Sequence, residues 1–241
     1  MSLMLEPLPW DTEHFGVSIA RVKLDDATQD DLDGLDHQAR DLGVECIYGT
    51  LDPADSLLSQ QVQSRGWRFI EAATLFDLRV TEPRIPRPDN TQFRPGTVED
   101  LPQLTPIVDQ MAAWSRFAVD PRFGLDAAKR LQRAWLDRAL HSESGHSLVV
   151  AEQEGEIVAF TGRVDEPPRV DAVGTTRRGS GAARYLIEEA RSWAGDRSLL
   201  GGPIAARNIA TLRYVSHCNY RVCRVDYIYH RWLDEEPGEP W

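Results

Sequence analysis

Residues able to do chemistry concentrate in one turn. A strand over 169–173 runs through Val170-Asp171-Ala172-Val173 into Gly174-Thr175-Thr176-Arg177-Arg178-Gly179-Ser180-Gly181, and Ala182-Ala183-Arg184-Tyr185-Leu186 opens a helix. The first four amides of a helix have no internal acceptor, and the helix dipole adds positive potential there. Glycines let the main chain approach a phosphate closely and take positive φ without strain. Arg177, Arg178 and Arg184 add cationic charge in a chain whose formal net charge is −11. A phosphate-binding turn is the natural reading. The alternative is a tight strand–helix turn that holds nothing.

Two known phosphate loops do not fit. A Walker A loop requires GxxxxGK[ST], and this turn has no lysine. A dinucleotide GxGxxG would read Gly179-Ser180-Gly181-Ala182-Ala183-Arg184, which lacks the third glycine. Metal chemistry has no footing either. The six histidines show no HxxxH spacing, and Cys46, Cys218 and Cys223 form no CxxC pair.

The elements that must hold this turn follow from periodicity. The segment 81–90, with three prolines among polar residues, reads as a linker between a half at 1–80 and a half at 91–241. In the second half, strands are expected over 91–95, 147–164 (two, joined at Glu154-Gly155), 169–173, 198–205 and 220–232. Helices are expected over 98–113, 126–140, 182–194 and 208–217. Leu131, Trp135 and Ala139 share one face of the second of these, and Leu186, Ile187, Ala190 and Trp193 one face of the third. At a fixed offset of 153 residues, 65–80 parallels 218–233: a helix end, an aromatic, an arginine and a long alternating strand. That pattern predicts an internal duplication.

The turn resembles the signature of the GNAT superfamily of acyl-CoA-dependent N-acyltransferases, V-x-P-x-x-R-G-x-G-x-[GA]-x-x-L. Here it reads Val173, Thr175 in place of proline, Arg178, Gly179, Gly181, Ala183 and Leu186, without gaps. Asn208, a following helix, and Asn219-Tyr220 in place of Gly-Phe continue the likeness downstream. The resemblance implies a mixed α/β GNAT fold with a mostly antiparallel central sheet and splayed strands, preceded by a smaller degenerate GNAT-like half. The stretches 8–16 (LPWDTEHFG), 114–117 (WSRF) and 208–214 (NIATLRY) are similar to members that acetylate the 4-amino group of a dTDP-4-amino-4,6-dideoxy sugar.

The same resemblance implies a site. Acetyl-CoA would lie between the strands at 169–173 and 198–205, with pyrophosphate on the amides of Arg178, Gly179, Ser180, Gly181, Ala182 and Ala183. Ala172 and Val173 would face the thioester, the latter's amide meeting the developing oxyanion, and Asn208 would bond the pantetheine arm. Tyr214 is the implied acid for the departing thiolate. Asp171, two residues before Val173, and Glu152 on a neighbouring strand are the candidate bases, with Asp171 preferred. The loop 114–123 would cover the acceptor. There Arg116 or Arg122 would meet a diphosphate or carboxylate, and Trp114, Phe117 and Phe123 would stack on a base or sugar. Trp10 and Phe15 read as core. In the first half, Asp25, Asp26 and Thr28 stand at the positions of Arg178, Gly179 and Gly181, and Gln61 at that of Tyr214. Two carboxylates would repel a pyrophosphate, so only the second half is expected to work.

Composition is compatible with this reading. With 41% hydrophobic and 27% charged residues, the 241-residue chain matches a water-soluble globular protein. Its acidity argues against nucleic acid or an anionic membrane as partner. No leader-like segment is read at the N-terminus, and a cytoplasmic location is expected. The expected partner is a small-molecule amine, with acetyl-CoA as co-substrate and no metal. Another small amine (an antibiotic, amino acid or polyamine) and a non-catalytic CoA-binding module are the alternatives. A homodimer through the long terminal strand is compatible with the sequence but not fixed by it. The tail 234–241 is expected to be poorly ordered.

Overall fold

Apolar stripes such as Leu186, Ile187 and Ala190 bury one face of the longer helices, while the strand Glu156–Val164 is buried continuously from Ile157 to Arg163. The computed structural model describes residues 3–25, 27–78, 89–177, 179–195 and 197–235. The linker at 81–88, Arg178, Asp26 and the end of the tail at 236–241 lie outside the described residues.

The first half contributes β1 (Glu6–Pro7), α1 (Pro9–Phe15), β2 (Ile19–Lys23), α2 (Gln29–Asp41), β3 (Cys46–Leu51), α3 (Ser56–Ser64) and β4 (Arg68–Leu78). The second contributes β5 (Gln92–Pro95), α4 (Leu101–Ala112), α5 (Arg116–Val119), α6 (Gly124–Leu140), β6 (His146–Gln153), β7 (Glu156–Val164), β8 (Arg169–Thr175), α7 (Ala182–Ala194), β9 (Leu199–Ala205), α8 (Ile209–His217) and β10 (Arg221–Trp232). One expectation is corrected: 114–123 is not all loop, because a helical turn, α5, forms inside it.

The repeat at an offset of 153 extends to whole elements. α2 and α7, α3 and α8, and the starts of β4 and β10 fall at equivalent numbers. Even a cap repeats. The side chain of Asp55 accepts from the Leu58 amide at 2.8 Å, and that of Asn208, at the equivalent position, from the Thr211 amide at 3.2 Å. Each bond satisfies one amide that the helix itself leaves open.

The chain forms two compact units that do not follow its order. One comprises residues up to Ala73, Val119–Phe123 and the residues from Val225; the other comprises Thr74–Ala118 and Gly124–Arg224. They differ from the halves at 1–80 and 91–241 because β4 and β10 each run through both. In the first unit the strand order is β1-β2-β3-β10-β4, and in the second β4-β9-β8-β7-β6-β5. Each parallel pair, β2–β3 and β8–β9, is thus followed by the last strand of the other half. The other registered pairs are antiparallel.

The first unit has one core, in which Leu32, Leu35, Ile47, Leu58, Val62, Trp67 and Tyr229 are buried. The second is cored on two faces. Leu104, Ile107, Val108, Leu136 and Phe160 pack under α4 and α6. Ile187, Ala190, Leu199, Val215 and Tyr220 pack under α7 and α8.

Candidate functional site

The ladder between β8 and β9 ends early. Only Arg169 with Leu200 and Val170 with Gly201 are paired, although β8 continues to Thr175 and β9 to Ala205. β9 carries Gly202-Pro203 directly after the last pair, and proline has no amide to give a ladder. The equivalent strands of the first unit do the opposite. β2 and β3 pair through five positions, from Ile19 with Cys46 to Lys23 with Thr50. One parallel pair opens; its counterpart at the offset of 153 is closed along β2.

The two helix starts differ in the same sense. Thr28 caps α2 with a reciprocal box: its hydroxyl accepts from the Asp31 amide at 3.2 Å, and the Asp31 carboxylate accepts from the Thr28 amide at 3.0 Å. At the equivalent place before α7 stands Gly181, which has no side chain to cap with. Gly179 and Gly181 hold φ values of +81° and +76°, where an L side chain is strained. Ser180 Oγ accepts from the Ala182 amide at 3.3 Å. The open strands and the glycine turn lie at successive points of one chain path, β8 to α7.

Asp171 sits at the opening. A β-bulge in the β7–β8 ladder pairs Gly162 with Ala172 and Arg163 with Val170, leaving Asp171 as the extra residue. It is the first residue of β8 beyond the last pair with β9. Its Oδ2 accepts from the Trp135 indole at 3.2 Å. Burial raises its carboxyl above the ordinary carboxylate range, against the opposing influence of Arg169, His146 and the Trp135 bond. Glu152 is otherwise engaged: it accepts from Arg94 at 2.8 Å, and Arg94 also donates to Asp100.

Tyr214 is half-buried, and its hydroxyl donates to the Ala183 carbonyl in the first turn of α7 at 2.6 Å. Burial, reinforced by the neighbouring Cys218, lifts its acidity constant well above that of free tyrosine, so it is fully protonated at neutral pH. Burial also raises the Cys218 thiol, which disfavours a thiolate nucleophile there. Asn208 spends its side-chain oxygen on the cap of α8.

The loop residues divide. Trp114 is exposed, while Phe117 is buried and packs under the Arg116 guanidinium. Arg207, next to Asn208, donates to the carbonyls of Trp114 and Ser115 at 2.9 and 3.0 Å, which ties this loop down. Arg122 belongs to the other unit, where it makes a two-pronged bond to Asp234 at 2.8 and 3.1 Å and lies over Trp232. Phe123 packs with Phe15 and Trp232. Asp234 and Glu235, at the start of the tail, are held by Arg122 and Arg68.

Sequence reasoning missed two further residues and one pair. Trp135 and His146 flank Asp171 from α6 and β6. In the first unit, Asp120 Oδ2 accepts from His230 Nδ1 at 2.6 Å and from the Trp232 indole at 3.1 Å, fully buried. No local pattern marks residues whose partners are so distant in sequence. Among the described residues no cluster of three metal-binding side chains occurs, and no helix is long and apolar enough to cross a membrane.

No family profile and no curated protein sequence matches the chain. Solved structures do. A functionally unknown conserved protein from Staphylococcus epidermidis is similar over 93% of this chain and 88% of its own, with a TM-score of 0.66 and 11% identity. A tandem GNAT protein from the clavulanic acid biosynthesis pathway is similar over 92% of this chain and 77% of its own, with a TM-score of 0.55 and 13% identity. A GCN5-related N-acetyltransferase from Sphaerobacter thermophilus is similar over 100% and 79%, also with a TM-score of 0.55 and 13% identity. With its mostly antiparallel sheet and open parallel pair, the chain has the fold of the GCN5-related N-acetyltransferases.

Proposed function

We propose that the protein is an acetyl-CoA-dependent N-acetyltransferase whose second unit carries the reaction. The observation that supports this most is the β8–β9 ladder, which stops at Val170 and Gly201 while its duplicate stays closed. Strand amides and carbonyls left without a ladder partner need another one when buried. Pantetheine, itself a row of amides, supplies it, and the Gly179–Gly181 turn offers main-chain amides to the pyrophosphate. Ala172, Val173, Arg178, Ala182, Ala183 and Asn208 complete the donor site in this reading. Transfer is direct within a ternary complex, so positioning supplies much of the rate. Asp171 takes a proton from the acceptor ammonium, and Tyr214 protonates the departing thiolate.

The favoured acceptor is the 4-amino group of a nucleotide-linked dideoxy sugar, a choice that rests on the resemblance in 8–16, 114–117 and 208–214. Trp114 and Arg116 are the residues offered to it. Isothermal titration with acetyl-CoA tests the donor half, with one site per chain expected. A thiol-release screen over dTDP-4-amino sugars, aminoglycosides, amino acids and polyamines tests the acceptor half. Absence of binding overturns the assignment. Binding without thiol release from any amine favours a CoA-sensing module instead.

A further inference from the structure

Asp171 is not alone at the opening. Its Oδ2 lies 3.8 Å from His146 Nδ1, with the two side chains 13% and 19% exposed. Asp171 Oδ1 and His146 Nδ1 are both buried and have no hydrogen-bond partner among the described residues. A carboxylate oxygen and a ring nitrogen kept from water without partners are costly, and such a cost is tolerated where the groups have work to do. The wall behind them is fixed. Trp135 donates to Asp171 Oδ2, and its ring lies so close over Gly162 that any side chain there would collide with it. A Cβ at Gly162 would also approach Asp171 Oδ1 to 3.0 Å. Glycine at 162 therefore admits the indole, the indole holds the carboxylate, and the bulge sets Asp171 at the first position of β8 beyond its last pair with β9. Arg169 on β8 and His146 on β6 are the ionisable groups that act on Asp171.

We propose that His146 is a proton relay for Asp171 and that Trp135 is the residue that positions this carboxylate. The inference rests on the acetyltransferase reading. An acceptor ammonium loses two protons on becoming an amide. The first goes to Asp171 before attack. The carbon–nitrogen bond then forms and the carbon–sulfur bond breaks. Sulfur receives a proton from Tyr214, which is restored by the second proton from nitrogen. The first proton is surplus, and Asp171, largely buried, must discharge it before the next cycle. His146 can accept it at Nδ1 and release the proton of its other ring nitrogen, because part of the side chain reaches the surface.

The test uses the full chain, saturating acetyl-CoA and the amine giving most thiol release. His146→Gln should lower kcat about a hundredfold, the low end for a lost acid–base role, without changing acetyl-CoA affinity, and added imidazole should restore the rate. Trp135→Phe removes a hydrogen bond to the charged carboxylate, so the acid limb of the kcat/KM profile should move to higher pH. A merely structural role would produce neither rescue nor a shifted limb. Wild-type kcat in His146→Gln, or a loss that imidazole does not restore, overturns the relay. An unmoved limb in a folded Trp135→Phe protein overturns the positioning role. If the wild-type protein neither binds acetyl-CoA nor releases thiol, the acetyltransferase reading falls and the relay with it. Turnover in the wild type with no effect in the variants removes the relay alone.

Discussion

The Tyr214 hydroxyl and the Ala183 carbonyl are joined by a hydrogen bond of 2.6 Å, linking α8 to the first turn of α7. The proposed acid is thus a neutral, half-buried phenol held against the helix whose start is proposed to receive pyrophosphate. Tyr214→Phe keeps the packing and removes the proton. At saturating acetyl-CoA its kcat should fall about a hundredfold, the low end for a lost general acid, with little change in acetyl-CoA affinity by calorimetry. Wild-type kcat would leave Tyr214 a purely structural role.

Gly181 offers a test of the turn itself. Alanine at φ +76° costs about 1 kcal/mol of strain. Gly181→Ala should relax the turn in the free protein, and re-forming it around pyrophosphate should raise the Kd for acetyl-CoA about fivefold with the melting temperature little changed. An unchanged Kd would place the pyrophosphate elsewhere.

Arg207 bonds the Trp114 and Ser115 carbonyls and stands beside Asn208. Arg207→Ala should release this loop and raise the acceptor KM several-fold, as a lost charge-assisted bond of about 1.5 kcal/mol predicts. Steady-state kinetics with the acceptor varied checks it. A change in kcat alone would speak against the loop covering the acceptor.

The Asp120–His230 pair is expected to make stability depend on pH in the acid range. Burial on its own would raise the Asp120 carboxyl, but bonds from His230, the Arg122 amide and Trp232 outweigh it and hold the value below the ordinary one. A depressed value stabilises the fold above the unfolded pKa of about 3.9, and that stabilisation is lost as pH falls through the folded value. Asp120→Ala should cost about 3 kcal/mol at neutral pH, as for one broken buried pair. In urea titrations the gap to wild type should narrow below about pH 4. A gap independent of pH would mean that packing, not charge, is lost.

Much of the fold was legible because its signals are local. The stripe of Leu186, Ile187 and Ala190 marked 182–194, the bounds of α7, and all three are buried. The repeat at 153 was visible because no insertion separates α2 from α3 and β4, or α7 from α8 and β10. The site was legible only in its backbone. The glycines announced the turn, and Gly201-Gly202-Pro203 could have announced where the ladder stops. The bulge at Asp171 was hidden, since its cause is the register of β7 against β8. Arg122 looked available for a ligand because nothing near it in sequence reveals Asp234, 112 positions away. Phe117 looked like a stacking surface for the same reason; its burial is decided by partners beyond the loop.

The exchanged last strands bear on biosynthesis. β3 finds its neighbour β10 only in residues 221–232, far downstream of it in sequence. A nascent polypeptide leaving the ribosome cannot finish its first unit until the residues from Val225 have emerged. Until then the edge of β3 stays open to other chains, and pairing across such a separation closes slowly. An isolated fragment ending in the linker should therefore aggregate rather than fold, which would make the two halves inseparable partners.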